Sequence, residues 1–290
     1  MIFYLVHYSL VLSGQTNTSE LFQKRIRNYQ YGAAATYGIS MLALNQLWYA
    51  DYNRTGFHAF NDNNQWLQMD KVGHVYSTYT LSKINFELLN HADLTEKQRK
   101  KVVYISSATS ALFLTSIEVL DGFSSEWGFS WGDFAANSLG IVLFSSQELW
   151  LKKQLFQLKY SYQSSSYKER RPEVFGQNTI EGAFKDYNGQ TYWLTTTLSD
   201  WKPMNRLKWL GVAIGYGADQ MLSSNGRFFE GATTEPIRQF YFALDVDLTK
   251  IETNKLWLKK TFRVLNHLKV PAPTLELGER TQPKIYGLYF

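Results

Sequence analysis

The 290-residue chain contains no cysteine. That absence excludes disulfides, thiolate metal sites, a cysteine nucleophile and acylation of a cysteine within this sequence. Charge is scarce too: 19% of residues are Asp, Glu, Lys or Arg, below the roughly 25% of an ordinary soluble domain. The net charge of +5 is spread along the chain. The longest basic run is Arg99, Lys100 and Lys101, so no patch of the kind a nucleic-acid binder presents is evident. Also missing are a metalloprotease HExxH, a Gly-rich phosphate loop, a GxSxG elbow and zinc-finger spacing. Aromatic residues are abundant: 9 Trp, 19 Tyr and 19 Phe make up 16% of the chain. With so little charge, this composition excludes disorder.

Ile2 to Leu12 is apolar and is followed by the small residues Ser13 and Gly14. The length suits the core of a signal peptide and is too short to span a bilayer. Residues 1–14 are therefore expected to be an export signal, although no Lys or Arg precedes the apolar run. The alternative is a buried first strand.

The pattern changes near residue 160. Asn28 to Ala50, Val102 to Ile117 and Phe134 to Gln147 are uncharged runs diluted by Ser, Thr, Asn and Gln. The first has the length to cross a hydrocarbon core and the other two are marginal, and a buried bundle is at least as good a reading. Thr95 is placed to cap a helix, with Gln98 at the reciprocal position. Beyond residue 160 the period becomes two. Phe240, Phe242, Leu244 and Val246 alternate with Tyr241, Ala243, Asp245 and Asp247, and Leu210 to Gly217 alternates large with small. Gln190 to Leu198 and Lys284 to Phe290 also suit strands, and Trp257 to Leu268 a helix stopped by Pro271 and Pro273. Ser164 to Arg171, before Pro172, reads as a linker, and Asn188-Gly189 as a hairpin turn. The expected fold is α+β: a helical region at 20–160 and a β-rich region at 175–290 packed on it. The aromatic C-terminal strand resembles the closing strand of an outer-membrane barrel, but five or six strand-like segments are fewer than such barrels need. A small partial barrel is the furthest this reading goes.

Three short motifs carry the chemistry. Asp70 and His74 stand at i and i+4, and Glu118 and Asp121 at i and i+3. Asp133 and Asn137 repeat the i, i+4 spacing. Each pair projects from one helix face. Carboxylate, imidazole and amide groups bind divalent cations or relay protons. Asp70, His74, Glu118 and Asp121 are the expected ligands if a divalent metal is held, with Asp133 or Glu118 as base. The plainer reading gives these residues structural work. Asp133 or Ser130 caps a helix, Asp70 pairs with Lys71, and His74 bonds Glu118 across the bundle.

At these positions the sequence resembles the YfiM-like family of uncharacterised bacterial envelope proteins. The matching pieces are Met69 to His74, Glu118 to Ser124, and Gly128 to Asp133 with Asn137 and Gly140. Asp186 to Leu194 is similar to long members of Bacteroidetes type. A remote similarity to VanZ-like membrane proteins follows the same DK-H, E-D, D-N pattern. The resemblance implies a cell-envelope address, in the outer membrane or periplasm, with membrane or envelope components as partners and no nucleic acid. It implies no activity. The expected function is an accessory or structural envelope protein associated with the outer membrane. The alternative is a metal-assisted hydrolase or transferase acting on a lipid-linked or cell-wall substrate.

Overall fold

A computed structural model describes residues 2–49, 53–91, 93–202, 206–224, 235–279 and 281–289, leaving aside the side chains of 2–18, 47 and 48. The expected export signal at 1–14 lies outside the described side chains. Four helices precede the sheet: α1 (Ile2–Leu44), α2 (Met69–Leu89), α3 (Glu96–Asp121) and α4 (Trp131–Ser146). The Thr95–Gln98 capping box starts α3 as its sequence predicts. Ser130, not Asp133, caps α4 by accepting from the Asp133 amide at 3.1 Å. Phe22 and Ile26 of α1, Phe86 of α2, Val102 and Val103 of α3 and Phe144 of α4 share one apolar core. Gly140 lets α4 lie directly on the α2 backbone, since a Cβ there would collide with the Val75 carbonyl. Among the described residues α3 has the length and hydropathy to cross a membrane. The run from Asn28 does not, because its Asn, Gln, Tyr and Gly residues dilute it. Both α2 and α4 pack against α3.

The C-terminal half is a six-stranded antiparallel meander in the order β1 (Phe156–Tyr162), β2 (Gln190–Thr197), β3 (Leu210–Asp219), β4 (Ile237–Val246), β5 (Ala272–Gly278) and β6 (Lys284–Tyr289). The fold is α+β as expected, and the sheet is not closed into a barrel. One bridge, Tyr160 to Leu268, ties β1 to the chain just ahead of β5. Helix α2 lies across β1 and β2: Tyr76 stacks between Tyr160 and Tyr192, and the Tyr79 hydroxyl reaches the Phe156 carbonyl.

Two strands escape the sequence pattern. β1 alternates Phe156, Leu158, Tyr160 and Tyr162 with Gln157, Lys159 and Ser161, but it follows so closely on the last uncharged helical run that the change of period reads as beginning only after it. β5 contains Pro273, which sits where the β5–β6 register shifts, the kind of irregularity that tolerates a proline. The expected linker is a connection between the paired strands β1 and β2, and it holds three short helices, α5 (Tyr167–Arg170), α6 (Pro172–Phe175) and α7 (Thr179–Lys185). Asn188-Gly189 turns α7 into β2 rather than closing a hairpin, because the segment before it is helical. The expected helix at 257–268 is α8 (Leu256–Leu265), which ends before Pro271 because residues 267–269 leave it to bond β1.

The sheet curls so that its polar and small face is inside. In β4, Tyr241, Ala243 and Asp245 are buried while Phe240, Phe242 and Leu244 are exposed. Inside the curl the fully buried Lys159 of β1 meets Asp245 of β4 at 2.8 Å and the Val246 carbonyl at 2.7 Å. Trp193 of β2 stacks with Tyr241 of β4 and Tyr289 of β6. Such contacts between non-adjacent strands hold the curl. Lys159→Met is expected to cost about 3 kcal/mol, because it leaves the buried Asp245 carboxylate with only Lys269, 3.7 Å away. Adding Asp245→Asn should recover part of that loss in urea denaturation.

Candidate functional site

The three sequence motifs meet where α2, α3 and α4 cross, joined by the loop before α2. At its entry, Trp66, Leu67 and Gln68 all take left-handed backbone conformations, which non-glycine residues adopt only when neighbours hold them. The holders come from the sheet: the Tyr216 hydroxyl donates to the Leu67 carbonyl, and Arg238 donates to the Gln68 side chain at 2.9 Å. Asp70 and Lys71 follow immediately in the first turn of α2, so the sheet helps to aim them.

The Lys71 ammonium lies 2.7 Å from Asp62, 3.1 Å from Asp70 and 2.8 Å from Asp133. It joins the loop, α2 and α4 through one cation. Ser130 donates to Asp62 at 2.6 Å, and Tyr187, ahead of β2, donates to Asp70 at 2.8 Å. His74 sits one turn further along α2. Its Nε2 is 3.7 Å from both Asp70 and Asp133. Its Nδ1 lies 3.1 Å from Asn137 Oδ1 and 3.4 Å from Glu118. Thr78 also donates to Asn137 Oδ1 at 2.8 Å, so that oxygen accepts from both groups. Glu118 is only 1% exposed, and its Oε1 and the Asn137 Nδ2 have no hydrogen-bond partner.

Of the expected residues, Asp70, His74, Glu118, Asp133 and Asn137 converge around the imidazole. Asp121 turns away to the helical turn Asn45–Tyr49 that follows α1, where the Tyr49 hydroxyl donates to it at 2.6 Å. A cleft lined by Tyr49, Asn53, Arg54, Leu120, Phe123 and Ser124 opens on that side. The expected metal set of Asp70, His74, Glu118 and Asp121 is therefore not the set the fold gathers most closely. Ligand atoms of Asp70, His74 and Asp133 lie within 4.8 Å of one another. Sequence reasoning missed Asp62, hidden in the polar loop run Asn61 to Asn64, and Tyr187, read as part of a turn. Nothing in the local spacing of either residue points to α2.

Two cations, Lys71 and His74, face four carboxyl groups, those of Asp62, Asp70, Glu118 and Asp133, and burial decides where protons stay. Glu118 is pushed up to about 8 by burial, which outweighs the nearby His74. Burial, then the Asp70 charge, raises Asp133 to about 7 against the pull of His74 and Lys71. Asp121 rises to about 6, again chiefly through burial. Burial opposes ionised Asp70 as well, yet His74, Lys71 and the Tyr187 hydroxyl together hold it below the usual carboxylate range. For His74 burial opposes the charge, but Asp70, Asp133 and Glu118 overcome it and favour the imidazolium.

The folded state thus keeps protons on Glu118, Asp133, Asp121 and His74 that the unfolded chain releases at lower pH. Unfolding becomes easier wherever the native state binds more protons and pH rises. Melting temperature is therefore expected to fall between about pH 5 and about pH 8, less steeply below about pH 6.5, where His267, pushed down to about 3 by burial, acts with the opposite sign. Asp70, with the opposite shift, acts only below that window. Glu118→Gln, which keeps the shape of the neutral acid, should flatten the upper part of the fall in a calorimetric pH series.

Of the groups that build this cluster, all but Tyr187 lie within one matched segment. No curated protein and no solved structure matches the chain. Residues 55–146 match a family described as predicted periplasmic lipoprotein (DUF2279), a description that agrees with a cell-envelope address.

Proposed function

We propose that the chain is an accessory, structural protein of the cell envelope, associated with the outer membrane, whose buried charge cluster locks the helical bundle to the loop and the sheet. The observation that carries this reading is the Lys71 ammonium between Asp62, Asp70 and Asp133 at 2.7, 3.1 and 2.8 Å. A protein cation already balances the carboxylates there, and three separate segments depend on it. The finer kinship, to YfiM-like and more remotely VanZ-like proteins, rests on the same residues from Asp70 to Asn137.

A second reading, a metal-assisted hydrolase or transferase on a lipid-linked or cell-wall substrate, draws on one feature. The Asp70, His74 and Asp133 ligand atoms lie within 4.8 Å of one another, and His74 Nε2 stands 3.7 Å from both carboxylates. That gap is too long for a direct hydrogen bond. In this reading Asp70, His74 and Asp133 hold a divalent cation that polarises substrate, and Glu118 moves a proton.

Two measurements on purified, folded protein separate the readings. For the structural role, Lys71→Met should cost about 3–5 kcal/mol, because it leaves Asp62 without a cation and Asp70 and Asp133 with only His74, 3.7 Å away. Elemental analysis should then find no stoichiometric metal in wild type. A stoichiometric divalent metal that disappears in both Asp70→Asn and His74→Ala would replace the structural reading with the enzymatic one. Recovery of the protein in the soluble cytoplasm on cell fractionation would end the envelope reading itself.

A further inference from the structure

One end of the molecule gathers connections from both halves. There β2 and β4 finish and β3 and β5 begin, so the turns Leu198–Asp200 and Leu248–Lys250 and helix α8 lie at that end. The helical bundle reaches it as well. The turn Gln147–Leu151 carries α4 toward the start of β1. Helix α3 begins beside that turn, with Arg99 paired to Glu148 and Lys152 to Glu96 at 2.9 Å. Asp200 fastens the two halves together, meeting Lys153 beyond α4 at 3.4 Å and Lys250 beyond β4 at 2.5 Å. Asn266, which ends α8, accepts from the Leu248 amide at 2.9 Å.

Three tryptophans are open to solvent at this end. Trp150 beyond α4 is 81% exposed, Trp201 beyond β2 59% and Trp257 in α8 64%. Lysines are its second feature. Lys152, Lys153 and Lys250 have the carboxylate partners just described. Lys97 and Lys100 in the first turns of α3, and Lys259 and Lys260 in α8, are exposed and form no ion pair among the described residues. In α8, Trp257, Val264 and Leu265 lie toward one side, with Lys259, Lys260 and Arg263 toward the other. Only Leu258 and Phe262 of that helix are half-buried. An apolar side that the protein leaves largely open, carrying Trp and backed by lysines, is the composition of a helix lying in a membrane interface.

We infer that this end of the molecule seats on an anionic lipid bilayer, with the three indoles at headgroup depth and the unpaired lysines on the lipid phosphates. The proposal rests on the envelope reading above and names the face and lipid class that would serve it. Charge selects the occupant, because the cations and the exposed indoles stand at the same end. Indole rings favour the boundary between hydrocarbon and headgroups, and lysines at that depth attract anionic headgroups. A second copy docked through the same face about a two-fold axis would bring these lysines against their own counterparts.

Flotation of the purified full chain with vesicles tests this, phosphatidylglycerol in phosphatidylcholine being compared with phosphatidylcholine alone. Wild type is expected to float with the anionic vesicles and to be released by salt. Replacing Lys97, Lys100, Lys259 and Lys260 by Gln should weaken binding about fivefold per residue. Trp150→Ser with Trp257→Ser should abolish flotation while melting temperature is kept, because both side chains are exposed. Trp131→Ser is the control: Trp131 opens α4 at the opposite end, is 67% exposed, and its loss should leave flotation as in wild type. Failure of folded wild type to float, or equal flotation with phosphatidylcholine alone, would overturn the proposal. So would loss of flotation in Trp131→Ser while the Trp150→Ser, Trp257→Ser pair still floats. A lipid-free dimer that this pair disrupts would give the face to a second copy and defeat the proposal likewise. Cell fractionation keeps the two readings apart. Envelope recovery without vesicle binding defeats only the proposed face, and vesicle binding by a protein found in the cytoplasm defeats only the envelope assignment.

Discussion

The Lys71 ammonium, shared by Asp62, Asp70 and Asp133, is the contact on which the arrangement of the matched region depends. A loop, the first turn of α2 and the first turn of α4 each bring a carboxylate to it. A buried carboxylate without a cation is costly, so each segment is held where the ammonium can reach. The Tyr187 hydroxyl on Asp70 extends the same constraint into the C-terminal half. The left-handed turn at Trp66 to Gln68, held by Tyr216 and Arg238, returns it from the sheet to α2.

His74 depends on that frame. Its ring is placed between α3 and α4 by helix packing, and the approach of α4 to α2 at Gly140 sets the Asn137 amide against it. Burial raises Glu118 and Asp133 toward their protonated forms, which lowers the excess of negative charge over Lys71 and His74.

The sheet solves a different problem by similar means. Its inner face carries Lys159, Asp245, Gln157 and Asp247, which bond one another across strands rather than to water. Ammonium, carboxylate and amide groups are satisfied only if the sheet curls, and the curl turns Phe242 and Ile285 outward. The apolar outer surface thus follows from charge satisfaction within the sheet.

The sequence alone determined much of this protein. Apolar and aromatic periodicity placed α3, α8 and strands β2, β3, β4 and β6, while the Thr95–Gln98 box marked one helix start. The i, i+4 and i, i+3 pairs selected five of the residues that surround or form the imidazole site, because helical spacing is a local property. Asp62 and Tyr187 were hidden because a loop aspartate and a turn tyrosine have no periodicity, and only packing brings them to Asp70. Asp121 was misplaced for the converse reason. It shares a helix end with Glu118, yet Tyr49 draws it to another side. The alternation of β4 divided its two faces correctly but did not say which was inside. That was decided only in three dimensions, where Lys159 finds Asp245 across three strand steps and leaves the apolar face outward.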